Sequence, residues 1–244
     1  MQVLGIDVGG TGIKANVVDI ETGTFVFEKY KIKTPIPATP EAILSCLQDI
    51  VTHYDWEAKN IGIGFPSVIK EGVALTASNI DQAFINYPID DNYSKALKCN
   101  VKVVNDADAA GLAEKTYGKG KDEKGLVIFL TLGTGIGSAL FFDGKLLSNT
   151  ELGHLKYKKS VFEKYASNSA RELKSLSWKK WAKELDVYLN HINLILNPDL
   201  ILIGGGVSKH FDLYKQYLTV PTRLETASLL NEAGIIGAAM AAVK

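Results

Sequence analysis

Two stretches of this chain, 124 residues apart, follow one local plan. The run Val3-Leu4-Gly5-Ile6 ends in Asp7, breaks at Gly9-Gly10-Thr11-Gly12, and resumes as Ile13 and Ala15 to Val18. Leu126 to Leu132 breaks at Gly133-Thr134-Gly135-Ile136-Gly137 and resumes as Ser138 to Phe142. Short apolar runs bounded by glycine read as buried strands. Each stretch therefore predicts strand, glycine turn, strand. The offset lays Asp7 on Thr131, Gly9 on Gly133, Gly10 on Thr134 and Ala15 on Ala139, and a second turn follows at Gly23 or Gly144. The strand Ile61 to Phe65 has its later counterpart in Leu200 to Ile203, which runs into Gly204-Gly205-Gly206. A unit built twice limits the fold to two similar α/β halves. Neither copy is strand–turn–helix and GK[ST] is missing, so neither is a Rossmann fingerprint or a Walker A loop.

Glycines at such a turn tolerate positive φ and allow close approach of a ligand. Turns that expose several N–H groups bind anions. Two readings of Asp7 to Lys14 stand at this level. In one, Asp7 is a turn acceptor in a tight β-hairpin. In the other, a carboxylate beside an anion-binding turn marks a metal-bridged phosphate, with Lys14 as an added point charge.

The chain of 244 residues holds ample core for one large domain or two small ones. Its formal net charge is zero, which argues against a general nucleic-acid binder. Cys46 and Cys99 sit in apolar stretches without CxxC partners, so neither a disulfide framework nor a cysteine zinc site is expected. A reducing, cytoplasmic setting fits. No leader pattern and no run of membrane-spanning length is read.

Along the chain, Thr24 to Ile32 reads as a third strand. Thr39 and Pro40 read as the cap and first residue of a helix carrying Ile43, Leu47, Ile50, Val51 and Tyr54 on one face. A short helix is expected near Ser94 to Leu97, a strand at Val101 to Val104, and a small-residue helix from Ala107 to Tyr117. Asp143-Gly144 is a two-residue hairpin signal. Lys156 to Lys164 reads as basic and irregular. Ser177 caps a long helix with Trp178, Trp181, Leu185, Leu189, Ile192 and Leu196 at helical spacing, a core pattern rather than a ligand platform. Leu229 to Val243, rich in alanine and glycine, suits a close-packed final helix. The domain expectation is 1–104, with the helix of about 229–244 packing back on it, and 105–228.

Asn105-Asp106 follows a strand and opens a helix. These residue types are favoured helix caps. They also suit a general base, because a sugar hydroxyl needs a carboxylate to take its proton as a phosphoryl group arrives. Glu151 and His154 are three apart around Gly153. They read as a polar loop, or as acceptor and donor for vicinal hydroxyls.

GIDVGGTGIK with Asp19 following, Asn105-Asp106, LTLGTGIGSALF from Leu130 to Phe141, and Glu151 to His154 together resemble the ROK sugar kinases. Within that family the blocks Asn105 to Glu114 (NDADAAGLAE), Asn149 to His154 (NTELGH), Leu176 to Trp181 (LSWKKW) and Gly204 to Lys209 (GGGVSK) are most similar to the branch that phosphorylates glucose from inorganic polyphosphate. The resemblance spans nearly the whole chain. It implies a duplicated actin-like ATPase fold of hexokinase type (ribonuclease H-like), with two α/β domains flanking a cleft. It implies a cytoplasmic kinase that makes glucose 6-phosphate, acts as a homodimer, and has neither nucleic-acid nor membrane partners.

By the same resemblance, Asp106 is the catalytic base for the sugar 6-hydroxyl. Asn79, Asn105, Asp106, Glu151 and His154 hold the sugar. Asp7, Gly9, Gly10, Thr11 and Lys14 form one phosphate site, with Asp7 orienting Mg²⁺ through water. Thr131, Gly133, Thr134 and Gly135 form the second, and Gly205 belongs to the loop on the nucleotide side. Many family members carry a cysteine-rich zinc motif after the Gly-His pair. Leu155 to Ser169 has no cysteine, so no structural zinc is expected, and the sugar-binding glutamate that follows the motif has only Glu163 as a candidate. Two alternatives are an ATP-dependent or dual-donor kinase that also accepts mannose, and a non-catalytic sugar-sensing regulator. The second needs an added DNA-binding module, for which an N-terminus entering a strand at once leaves no expected room.

Overall fold

The computed structural model describes residues 1–57, 59–78 and 80–243. The chain divides into two compact units, Met1–Ala113 with Glu232–Lys244, and Glu114–Asn231.

The first unit contains strands β1 (Gln2–Val8), β2 (Gly12–Asp19), β3 (Thr24–Phe25) and β4 (Tyr30–Lys33), then helix α1 (Pro40–His53) and strands β5 (Asn60–Phe65), β6 (Ile69–Lys70) and β7 (Val73–Ala74). Helix α2 (Ile89–Leu97), strand β8 (Asn100–Asn105) and the start of helix α3 (Asp106–Tyr117) follow. The main sheet runs β3-β2-β1-β5-β8, with β4 also on β2. β1 and β2 are antiparallel, while β1, β5 and β8 are mutually parallel.

Alternation decides what covers each face. Leu4, Ile6, Val8, Ile61, Ile63 and Phe65 join α1 (Ile43, Leu47, Ile50) and α2 (Ile89, Tyr93) in one buried cluster. The alternate residues Gly5, Gly62 and Gly64 turn the other way, where a late helix of the chain, described below, lies on the sheet. A Cβ on Gly62 would stand 1.7 Å from the Ala238 carbonyl oxygen, so only glycine fits. Thr39 caps α1, its hydroxyl accepting the Ala42 N–H at 3.3 Å.

The expected single strand from Thr24 to Ile32 is two strands. Fully buried Asn16 spans the break, its Nδ2 donating to the Phe27 carbonyl at 2.8 Å and its Oδ1 accepting the Phe27 N–H at 3.3 Å. A side chain thus replaces the ladder bonds, which periodicity alone does not reveal. α2 also begins earlier than the expected Ser94, at Ile89.

The second unit contains β9 (Leu126–Leu132), β10 (Ile136–Phe142), β11 (Lys145–Leu147), β12 (Lys156–Tyr157) and β13 (Ser160–Val161), then α4 (Glu163–Ala166), α5 (Asn168–Leu173), α6 (Trp178–Leu196), β14 (Leu200–Gly204) and β15 (Arg223–Thr226). Its sheet, β11-β10-β9-β14-β15, repeats the order and sense of pairing of the first. β15, the counterpart of β8, lacks an apolar run, and no sequence signal marked it. Asp143 and Gly144 both take positive φ in the turn before β11, as a two-residue hairpin requires.

Ser177 caps α6 through the Lys180 N–H. Trp181, Leu185, Tyr188, Leu189 and Ile192 bury against Ile128, Leu130, Ile201 and Ile203. The stretch expected to be irregular folds as the β12–β13 hairpin and α4. It is held by Phe162, which is fully buried and stacked on Tyr157 at 4.2 Å, and by the Trp181 indole N–H, which donates to the Ala166 and Ser167 carbonyls.

Helix α7 (Ala233–Ala241) closes the chain and belongs to the first unit. It lies against β1 and α3 so closely that a Cβ on Gly5 would stand 2.1 Å from the Ile235 carbonyl oxygen, and one on Gly237 1.6 Å from the Ala109 carbonyl oxygen of α3. The alanine and glycine content of this segment is what that approach demands.

Candidate functional site

In the first unit the expected residues gather at the carboxyl ends of the parallel strands, where ligands bind in open α/β sheets. The register puts Asp7 opposite Gly64, and Gly64 opposite Val104. Asp7 and the end of β8 are thus two strand spacings apart, about 4.8 Å each. Asp106 opens α3 just beyond.

Asp7 pairs across the ladder with Lys14, whose Nζ lies 3.5 Å from a carboxylate oxygen. Burial pushes the Asp7 carboxyl above its ordinary value, against the pull of Lys14 and Lys29. Behind it stands Gly234 of α7, where a Cβ would lie 3.0 Å from the Asp7 Cγ and 3.1 and 3.3 Å from its oxygens. The turn itself is closed by the Gly9 N–H donating to the Gly12 carbonyl at 3.1 Å, with Gly10 and Thr11 exposed at its tip. Thr34 braces it from outside, its hydroxyl donating to the Gly9 carbonyl at 2.5 Å. A shallow cavity of about 300 Å³ adjoins this turn, lined by Gly10, Thr34 to Ala38, Ile80 and Asp81. Asn79, expected to hold sugar, lies outside the described residues.

Asn105 is buried and carries the capping role that the sequence left open. Its Oδ1 accepts the Ala107 and Asp108 N–H groups at 2.9 and 3.1 Å, and its Nδ2 donates to the Ser67 carbonyl at 3.1 Å. Half-buried Asp106 accepts the Ala107 N–H at 2.8 Å through Oδ1. The pair therefore divides the work: Asn105 fixes the helix start, and Asp106 is held at the strand end by its own backbone.

In the second unit Thr131 sits opposite Gly137 and Gly204. The turn of Gly133, Thr134 and Gly135 has three residues between the last paired positions, Leu132 and Ile136. Its counterpart has four, between Val8 and Ile13. The repeat is thus shifted by one in register, a difference the 124-residue offset conceals. Gly205 has φ +79°, and a Cβ there would lie 2.6 Å from the Leu132 carbonyl oxygen, so the loop after β14 needs glycine on both counts.

Glu151 and His154 meet: His154 Nδ1 lies 3.1 Å from a Glu151 oxygen. Glu163, which sequence reasoning left as a candidate, completes the group. Its Oε2 is 3.8 Å from His154 Nε2 and accepts the Ile136 N–H at 3.4 Å. A Cβ on Gly135 would fall 2.4 Å from that same oxygen. Glu163 therefore joins the Glu151–His154 pair to the second glycine turn. Burial first, then the charge of Glu163, raises the Glu151 carboxyl against the pull of His154. Tyr188, fully buried, feels both carboxylates, and burial above all pushes its phenol up. A larger cavity of about 680 Å³, at Lys115, Lys121 to Lys124 and the Asp143-Gly144 turn, contains none of the expected residues.

Sequence reasoning missed Gly234 and Thr34, because each acts through space on a residue far away in the chain. The only available signal for Gly234 was a glycine placed early in an apolar helix. Among the described residues no group of three or more His, Cys, Asp or Glu is placed to hold a metal ion. A Mg²⁺ ion shared with phosphates needs only one or two carboxylates, and Asp7, a hard oxygen donor beside an N–H-rich turn, fits that need.

A family model described as the ROK family matches residues 3–163. A polyphosphate glucokinase of Mycobacterium tuberculosis (strain CDC 1551 / Oshkosh) is 42% identical over 240 residues, covering 98% of this chain and 90% of its own. Among solved structures, an inorganic polyphosphate/ATP-glucomannokinase from Arthrobacter sp. strain KM superposes with a TM-score of 0.93 at 43% identity, covering 98% of this chain and 97% of that one. A ROK family glucokinase from Streptomyces griseus in complex with glucose and AMPPNP has a TM-score of 0.84 at 24% identity, covering 99% of both chains, a likeness of fold.

Proposed function

The chain belongs to the ROK family, and we propose that it transfers a phosphoryl group from inorganic polyphosphate to the 6-hydroxyl of glucose, giving glucose 6-phosphate. The observation that carries this reading is the gathering of Asp7, the Gly9–Gly12 turn and Asp106 at one end of β1, β5 and β8. The choice of donor and sugar follows the near-full-length similarity to the polyphosphate glucokinase.

In this reading Asp106 takes the proton of the sugar hydroxyl as it attacks phosphorus. Glu151, His154 and Glu163 bind and orient hydroxyl groups, with Asn105 and Asn79 as further sugar contacts. Gly9 and Gly133 close the two turns through their own N–H groups, and the N–H groups of Gly10 and Thr11, with Lys14, and those of Thr134 and Gly135, with Thr131, receive phosphate oxygens and offset the charge that develops on them. Gly205 keeps the loop after β14 open to the donor. Asp7 would hold a divalent ion, Mg²⁺ in this proposal, through water, and the bound ion would supply neutralisation of phosphate charge. Placement in the cytoplasm accords with two buried free cysteines. Among the described residues no helix is long and apolar enough to cross a membrane. A homodimer is part of the proposal, with exposed Val187, Leu194 and Ile195 of α6 as an apolar face for the second copy. Sedimentation equilibrium tests it.

A second reading, use of both polyphosphate and ATP with acceptance of mannose, is favoured by the likeness to the Arthrobacter glucomannokinase. Both are tested by measuring glucose and mannose phosphorylation with polyphosphate, ATP and GTP at matched phosphate. Turnover with polyphosphate supports the main reading, and absence of turnover with every donor sinks both. Asp106→Asn is expected to lower kcat by about 10²–10⁴-fold. A variant near wild-type kcat removes Asp106 as the base.

A further inference from the structure

The chain is neutral as a whole, yet residues 156–183 hold nine lysines and arginines and only two acidic residues. The fold draws part of this charge together. Lys158 and Lys174 approach one ring, that of Tyr165, with their Nζ atoms 4.9 and 4.6 Å from its centroid. Lys174 Nζ also donates to the Lys164 carbonyl at 2.7 Å. Like charges held this close repel unless counter-charge is present. Lys158 pairs with Glu184 and Lys164 with Glu163, while the contacts of the Lys174 ammonium are a carbonyl and a ring.

The cluster adjoins the second glycine turn. Glu163, whose carboxylate touches Gly135, and Tyr165 share the single turn of α4. The Ser169 N–H of α5 donates to the Gly133 carbonyl at 3.1 Å. Both helices that touch the phosphate turn therefore lead directly into the basic face.

We propose that Lys158, Lys164 and Lys174 form a docking track for the distal phosphates of a long polyphosphate chain whose end lies at the Gly133–Gly135 turn. The track rests on the polyphosphate reading of the site. A linear polyanion without bases fits better than nucleic acid, because single strands dock their bases on open aromatic faces. Here those faces are taken. Lysines sit over Tyr165 and Tyr157, Tyr157 stacks on Phe162, and Arg171 covers Trp178 at 4.1 Å.

The test compares wild type with Lys158→Gln/Lys174→Gln and with Lys174→Glu alone, using long-chain polyphosphate, tripolyphosphate and ATP across a salt series. The track predicts a rise of about tenfold in KM for the long chain only, with kcat, glucose KM and the short donors unchanged. The dependence of long-chain affinity on salt flattens by about one logarithmic unit per lysine removed. Lys121→Gln/Lys124→Gln, on the charged loop, serves as a control and leaves the long-chain KM unchanged. Equal shifts for long and short donors, or none, overturn the track while leaving the kinase reading intact. Wild-type turnover with ATP alone overturns the donor reading and the track together. Tight single-stranded DNA binding that polyphosphate does not displace assigns the face to nucleic acid and overturns the track.

Discussion

Replacing Gly234 by alanine separates catalytic geometry from stability in one step. The new Cβ would stand 3.0 Å from the Asp7 Cγ and 3.1 and 3.3 Å from its oxygens. Ordinary contact begins near 3.4 Å, so the carboxylate must retreat by a few tenths of an ångström. Gly234 has no left-handed φ and lies in the first turn of α7. Alanine therefore costs no backbone strain and gains up to about 1 kcal/mol of helix preference. The two effects act on different readouts. A misplacement of 1 Å costs about 10²-fold in rate, so a few tenths predict a fall in kcat of about 3- to 10-fold. Melting temperature should hold or rise. The assay is glucose phosphorylation at saturating donor, with a divalent-ion titration alongside, which should shift to higher metal concentration. Wild-type kcat and an unchanged metal requirement would refute the idea that Gly234 sets the Asp7 position. A collapse of the melting temperature would show that the clash is taken up by the helix instead.

Asp7→Asn should abolish most activity and yet stabilise the fold near neutrality. Burial raises the Asp7 carboxyl in the folded state above its ordinary value of 3.8, so its contribution to stability is present below that value and is lost as pH rises through the folded value. The gain from asparagine should fade toward pH 3 in pH-dependent denaturant melts, and a gain that grows on acidification contradicts this sign. Gly135→Ala should raise the glucose KM by displacing Glu163, whose oxygen lies 2.4 Å from the new Cβ, and titrations of glucose at fixed donor read this directly. Tyr188→Phe should be neutral or stabilising by about 1 kcal/mol in urea melts, because the buried hydroxyl has no hydrogen-bond partner among the described residues. Gly62→Ala should fail to give soluble, cooperatively melting protein, since its Cβ would meet the Ala238 carbonyl oxygen at 1.7 Å.

Both glycine hairpins were legible because the signals are local. A period of two and a glycine break specify strand, turn, strand whatever surrounds them. The caps Thr39 and Ser177 and the Asp143-Gly144 turn were legible for the same reason, since each depends on residues three or four apart. The run Ile61 to Phe65 likewise announced a buried strand, without showing that its alternate glycines leave one face bare.

What covered the bare face was decided only when α7, almost the whole chain away, came to rest on it. The same long-range contact put Gly234 behind Asp7, and no local pattern encodes that neighbour. The offset between the hairpins was visible, but their one-residue difference in register depends on ladder pairing. Asn105-Asp106 looked like a cap or a base. Only packing against Ser67 and the opening turn of α3 showed which side chain caps. Glu163 stood in the sequence only as a candidate within a basic stretch until the β12–β13 hairpin and α4 folded it onto Gly135 and His154. Sequence determined the two glycine turns, because those follow from backbone freedom. Tertiary structure decided which carboxylates meet them, because side-chain chemistry at a distance is fixed by packing.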